Sequence, residues 1–311
     1  MPLRTPRLRV LADGQELPGV LSAHVSSAGR AAARFRVQFA GRDAPGPEAR
    51  IAVEMDGALV LLGRADTADT DIHAGVTTLD GRDLGALLVD ARPAELFPNQ
   101  TASAIAEAVA ARHGLGADVT ATTALVGRLY GADHARLLLP ALARARSDWD
   151  LLQALAQAEG FAAHVDGDRL YFGPPLAGEP VVVDAAGCTM LRVQRQLALS
   201  RGVEVSVQSW GTADARAVVA RAGRGGTKQV LLRPNLGPEA AQALADRTLA
   251  DLLRHERTVD LLMPGNPLLS ARSAVQVRGA GEWDGAYSVL HLHVGMDARH
   301  GFTARARLGG A

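Results

Sequence analysis

Two histidines spaced His-x-His, His291 and His293, lie in the stretch 281–294, which reads GEWDGAYSVLHLHV. On a strand, residues two apart point to the same side, so both imidazoles would share a face. His300 lies just beyond, and Asp297 could complete a set. Three such protein ligands and a water would make a catalytic zinc site. The competing reading turns Leu290, Leu292 and Val294 toward a core and leaves the histidines to solvent or a neighbouring strand. The second reading is adopted, because nothing in the sequence supplies the outer partners that orient a metal-bound imidazole.

The other reactive residues are weaker. Arg224-Gly225-Gly226-Thr227-Lys228 faintly resembles a phosphate loop, but such a loop needs Ser or Thr after the lysine and then a helix. Here Gln229 follows, and Val230-Leu231-Leu232 reads as a strand. Cys188 is the one cysteine, so it reads as a small buried hydrophobe rather than a nucleophile. Asp148 and Asp150 stand two apart and do not share a helix face, which makes them poor general acid/base partners. No Gly-x-Ser-x-Gly elbow is present. The expectation is therefore no catalytic, cofactor-binding or metal-ligating residue, no cofactor, and no enzyme.

Composition agrees with a scaffold. The chain has 311 residues, 48% hydrophobic and 21% charged, ordinary values for a protein with a real core. Acidic and basic residues balance at 33 each, so net charge makes no case for nucleic acid or a basic membrane anchor. Lys228 is the one lysine; the remaining basic residues are arginines scattered along the chain. With a single cysteine no intramolecular disulfide can form. No run approaches the roughly 18 apolar residues of a membrane helix, and the N-terminus lacks a signal-peptide core. A soluble product made in the cytoplasm is expected.

The elements change character twice. Residues 1–90 read as short strands with Asp13-Gly14 and Asp56-Gly57 at hairpin turns, a pattern of small barrels or sandwiches. Two helices follow. One starts at Thr101 or Ser103 and runs to His113; the other is capped by Ser147, runs from Asp148 to Glu159 and ends at Gly160. Trp149, Leu152, Leu155 and Ala156 form its apolar face. A hairpin turns at Asp166-Gly167-Asp168. From residue 178 the chain is β again: strands are expected at Leu191–Leu199 and Gly202–Trp210, and in four runs after residue 256. One helix interrupts, from Pro238 to His255, with a stripe of Ala241, Leu244, Leu249, Leu252 and Leu253. No internal repeat of known period is seen.

The order of these motifs resembles a known family. Leu79-Asp80-Gly81-Arg82-Asp83, the Asn99-Gln100-Thr101 helix start, Ser147-Asp148-Trp149-Asp150 with Glu159-Gly160-Phe161, and the hairpin ending Arg169-Leu170-Tyr171-Phe172 are similar to the phage late control D proteins. Gly285-x-Tyr287-x-Val289 and Gly301-Phe302-Thr303 resemble the closing strands of that family. The likeness runs from Leu79 to Leu308 and extends to the N-terminal hub part of type VI secretion spike proteins.

The resemblance implies a baseplate hub of a contractile tail. The implied fold class is α+β, mainly β, with two small β-barrel-like tube domains and an inserted α/β domain. The expected domains are 1–90, a first barrel; 91–177, the insert; and 178–311, a second barrel with one helix. The implied assembly is a homotrimer whose six barrels form a ring between a hexameric tail tube and a trimeric spike. Its partners would be the tail spike protein, the tail tube or tube-initiator protein, and the tape measure protein. The spike is expected to be a separate polypeptide, and no cell-wall-cleaving insert is seen. The implied location is the virion tail baseplate, assembled in the host cytoplasm. Two rival functions follow from the residues themselves. Trp149, Phe161, Tyr171 and Phe172 could serve a peptidoglycan- or carbohydrate-binding module, and His291, His293 and His300 a metallohydrolase.

Overall fold

The computed structural model describes residues 6–29, 31–92, 100–126, 146–175, 178–210, 217–233 and 236–310. Seven strands open the chain: β1 (Leu8–Ala12), β2 (Gln15–Glu16), β3 (Val20–Ala28), β4 (Ala31–Ala40), β5 (Arg50–Met55), β6 (Ala58–Asp71) and β7 (Val76–Asp83). They lie in the order β3-β4-β7-β6-β5-β1-β2. Both predicted Asp-Gly turns have two residues at positive φ, Asp13 and Gly14 at 48° and 80°, Asp56 and Gly57 at 52° and 85°. That is the hairpin turn whose twist matches its strands. In β4, Phe35, Val37 and Phe39 are buried while Arg34 and Arg36 are exposed, the alternation of a sheet with one wet face. Strand β6 is longer than its apolar run suggests. Its first half pairs with β5, and its polar second half pairs with β7.

The chain then leaves the sheet through α1 (Ala86–Asp90). Residue 99 lies outside the described residues. From β8 (Gln100–Thr101) the backbone enters α2 (Ala102–Arg112), whose cap is Thr101: its side chain accepts from the Ala104 amide at 3.2 Å. Strands β9 (Gly116–Val119) and β10 (Leu125–Val126) follow. Helix α3 (Asp148–Glu159) is capped by Ser147, which accepts from the Asp150 amide at 3.1 Å, and it ends at Gly160 in the left-handed region. The hairpin β11 (Ala162–Asp166) and β12 (Arg169–Gly173) completes a small sheet in which β12 also runs parallel to β9. Ile105, Val109, Leu151, Leu152, Leu155, Leu170 and Phe172 form a separate core between these helices and strands.

Strands β13 (Val181–Asp184) and β14 (Met190–Arg195) act as one bent strand. The first pairs with β19 (Ala274–Arg278) and the second with β18 (Arg257–Pro264), and five residues join them. The strand expected to reach Leu199 ends at Arg195, and 197–200 coil into the short α4 (Leu197–Ser200). The strand at β15 (Val203–Trp210) does not join the large sheet. It pairs with β16 (Ala217–Gly223) and β17 (Thr227–Leu232) in a sheet of its own. Val203, Val205 and Val207 pack there against Ala241 and Ala245 of α5 (Pro238–Leu253). Leu253, read as part of the apolar stripe, is 37% exposed; the buried line runs through the two alanines, where the helix lies closest to the sheet.

The chain returns with β18 (Arg257–Pro264), β19 (Ala274–Arg278), β20 (Gly285–Asp297) and β21 (Gly301–Gly310). Strand β20 is the seam of the molecule. One side pairs with β21 along its length. The other pairs first with β19 and then, from His291 to Asp297, with β3. The first and last thirds of the chain thereby share one 13-stranded sheet and one core, with Phe35, Ile51, Leu261, Val277 and Leu308 in contact across it. The fold is α+β, mainly β: the β segments of both ends of the chain share one sheet, with an inserted α/β unit and a further small sheet packed on α5.

Candidate functional site

The stretch 281–294 begins with a short 3-10 turn at 281–283 and becomes β20. Asp284 accepts from the Ala280 amide at 2.6 Å, and the Tyr287 hydroxyl donates to the Trp283 carbonyl at 2.8 Å. The Arg257 guanidinium covers the Trp283 ring at 4.7 Å. Tyr287 and Val289 are buried, and so are Leu292, Val294 and Met296. Those two sets cannot share a face in a straight strand. The register against β21 shifts between Val289 and His291, so Leu290 is the extra residue of a bulge. The bulge keeps the core side continuous and turns His291 and His293 outward. Leu290 itself is half-buried rather than in the core row where the sequence placed it.

The histidines do not converge. His293 stacks on His24 at 5.5 Å, and its Nδ1 lies 2.8 Å from Ser26 Oγ. Burial, then His24 and Arg305, hold its pKa below the ordinary value. His300 closes the turn after β20, 3.1 Å from the Asp297 carboxylate. The His300 amide and ring, with the Arg299 amide, hold Asp297 down at about 2. Among the described residues no three His, Cys, Asp or Glu side chains are grouped to hold a metal ion.

The remaining candidates are placed as follows. Thr227 and Lys228 begin β17, so a strand and not a helix follows the glycines. Cys188 is half-buried, less enclosed than its type suggests, because it sits at the bend between β13 and β14; burial and Asp184 push its thiol up. Asp148 is wholly buried, with Arg112 at 3.2 Å and His113 at 2.7 Å. This ion cluster ties the end of α2 to the start of α3. Trp149 and Phe172 are core residues of the insert. Tyr171 stacks on His164, and Phe161 meets Phe172 edge-on. These aromatics pack inside the unit, and they do not form an open platform for a sugar ring.

One assembly of side chains was not legible along the sequence. Register places Arg305, His293, Ser26, Arg34, Arg82, Arg64 and Arg50 directly opposite one another on seven successive strands. Beside that row, His291 faces Arg307 and His24 faces Arg36. The signal within each strand was present, as Arg34-x-Arg36, His291-x-His293 and Arg305-x-Arg307. Only the pairing of strands far apart in sequence aligns them. Arg82 is held by Asp66 and Asp90, each bidentate, and Arg64 by Glu48 at 2.6 Å. Among the described residues no carboxylate reaches Arg34 or Arg305.

No protein-family model matches the chain, and no curated protein matches it. Solved structures do. A tail protein from Neisseria meningitidis MC58 is similar with a TM-score of 0.71 and 18% identity, over 98% of this chain and 97% of that one. A 43 kDa tail protein of prophage MuSo2 from Shewanella oneidensis gives 0.71 and 15%, over 98% of both chains. An Escherichia coli component of the type VI secretion system, itself similar in structure to the bacteriophage T4 tail proteins gp27 and gp5, gives 0.58 and 11%, over 97% of this chain and 77% of that one. At these identities the likeness is one of fold: the chain has the fold of phage tail proteins.

Proposed function

We propose that the chain is a structural baseplate hub protein of a phage tail or related contractile injection system. Three copies would form a ring of six barrels that joins a hexameric tail tube to a trimeric spike. One observation supports the reading: β20 pairs with β21 on one side and with β3 on the other, joining the β segments of both ends of the chain in one sheet, in a fold shared with tail proteins. Two barrels per chain would let a threefold ring meet a sixfold tube. Unpaired strand edges need covering, and ring closure would cover them. The proposed partners are two further copies, the spike protein, the tail tube or tube-initiator protein and the tape measure protein, at the baseplate of the virion tail. No catalytic role is proposed, since the candidate reactive groups among the described residues serve turns, caps and packing.

The test is the native mass of the purified protein, alone and mixed with the protein encoded beside it. A trimer in either condition supports the hub. A strict monomer in both contradicts it.

A further inference from the structure

We propose that the exposed face of the seam, across β21, β20, β3 and β4, binds the phosphodiester backbone of a nucleic acid without reading its sequence. The inference goes beyond the hub reading and does not depend on it. Like charges directly opposite in a sheet are destabilising, yet Arg34 faces Arg82, Arg82 faces Arg64, and Arg64 faces Arg50. At Arg82 and Arg64 the chain offsets that cost with its own carboxylates, Asp66, Asp90 and Glu48. At Arg34 and Arg305 it supplies none among the described residues, although both are exposed.

The layout suits a phosphate backbone. Strands lie about 4.8 Å apart, so Arg305 and Arg34, three strands from each other, stand roughly 14 Å apart. Residues two apart on one strand stand about 7 Å apart, as in Arg34/Arg36 and Arg305/Arg307. Arg36 is held by Asp80 and Arg307 lies 4.0 Å from Asp260, so the unmatched charge is Arg305 on one side and Arg34 on the other. Between them lie Ser26 and Ala28, small residues, while the His24 ring covers Gly295. His24 and His293 stack on each other there, and the Ser26 hydroxyl is a further polar contact. Guanidinium forks match phosphate oxygens bidentately.

A protein partner fits this face less well. Protein interfaces are anchored by buried aromatic and apolar side chains. Among the described residues, one large exposed apolar side chain, Leu21 near the start of β3, lies on these four strands; Trp210, Val219, Val230, Leu232 and Leu268 lie elsewhere. The rows offer charge and hydrogen bonds alone, which position a backbone and carry no base readout. The balanced net charge is no objection, because the charge is sorted by strand register.

The experiment is fluorescence anisotropy of the full chain with labelled duplexes of about 20 base pairs, in two unrelated sequences, over a salt series. Both duplexes are expected to bind equally, with a log–log salt slope of about −3 for some three phosphate contacts. Arg34→Glu with Arg305→Glu should weaken binding at least tenfold and flatten the slope by about two. The milder Arg34→Gln with Arg305→Gln should lie between, which guards against a folding defect in the charge reversal. Arg224→Glu, on the turn of the small sheet, should bind as the parent does. No binding at low salt overturns the proposal, and so does equal loss in Arg224→Glu. An oligoglutamate peptide of matched charge binding more tightly than the duplex would also overturn it, in favour of an acidic protein partner.

Discussion

The His113 Nε2 atom lies 2.7 Å from Oδ2 of Asp148, a carboxylate with no solvent exposure. Arg112 reaches the same oxygen at 3.2 Å. Removing one member of such a buried cluster leaves charge without a partner, which costs far more than an exposed ion pair is worth. Asp148→Ala is expected to destabilise the protein by about 3 kcal/mol. Urea unfolding followed by Trp fluorescence would read it, and a loss below about 1 kcal/mol would show that the cluster adds little.

The bulge at Leu290 makes a second prediction. Deleting Leu290 would restore a straight strand and send one of the two buried sets to the wrong face, since a one-residue slip inverts every side chain beyond it. The deletion is expected to yield insoluble or unfolded protein. Leu290→Ala keeps the register and should cost only about 1 kcal/mol for a half-buried leucine. Soluble expression and far-UV circular dichroism separate the two. A folded deletion variant with normal stability would mean that the strand tolerates either register.

Close approach sets a third. Phe35 and Gly81 are directly opposite on β4 and β7, and a Cβ added at Gly81 would fall 2.2 Å from the Arg64 carbonyl oxygen and 2.5 Å from Phe35 Cζ. The backbone of β6 and the Phe ring together occupy the space that any side chain would need, and only the ring can be vacated by substitution. Gly81→Ala should cost roughly 1–3 kcal/mol through this overpacking, and Phe35→Leu should recover part of it by vacating the space. Thermal unfolding of the two single variants and the double variant gives the coupling. Strict additivity would contradict the steric account.

The fourth concerns pH. His164 is buried, stacked on Tyr171 and near Arg272; burial first, then Arg272, lower its pKa to about 4. Asp166 and Asp118 pull weakly the other way. In the unfolded chain the imidazole titrates near 6.5. Above that value both states are neutral and the full stability is present. As pH falls from 6.5 toward 4 the unfolded chain takes up a proton that the folded chain refuses, so stability is lost across that window. The loss should approach about 3 kcal/mol at its lower end. Urea midpoints between pH 7 and 4.5 would show it, and His164→Gln should flatten the curve. An unchanged slope in that variant would assign the acid sensitivity to other groups.

The sequence by itself determined the local structure. Asp13-Gly14 and Asp56-Gly57 are turns because their backbone takes positive φ. Ser147 and Gly160 bound α3 because a hydroxyl cap and a left-handed glycine satisfy helix ends. Alternation in β4 named its buried face. These are short-range effects, carried by a few adjacent residues. What only the tertiary structure decided is which strands meet. Nothing near Val203 says that its strand leaves the large sheet for a sheet of its own, and nothing near His291 says that a bulge turns it outward. Nor does any segment announce that Arg305, Arg34 and Arg50 lie in one line. Strand pairing is a contact between residues distant in the chain, settled by the packing of whole faces against one core. Arginines scattered in sequence therefore become a row in space.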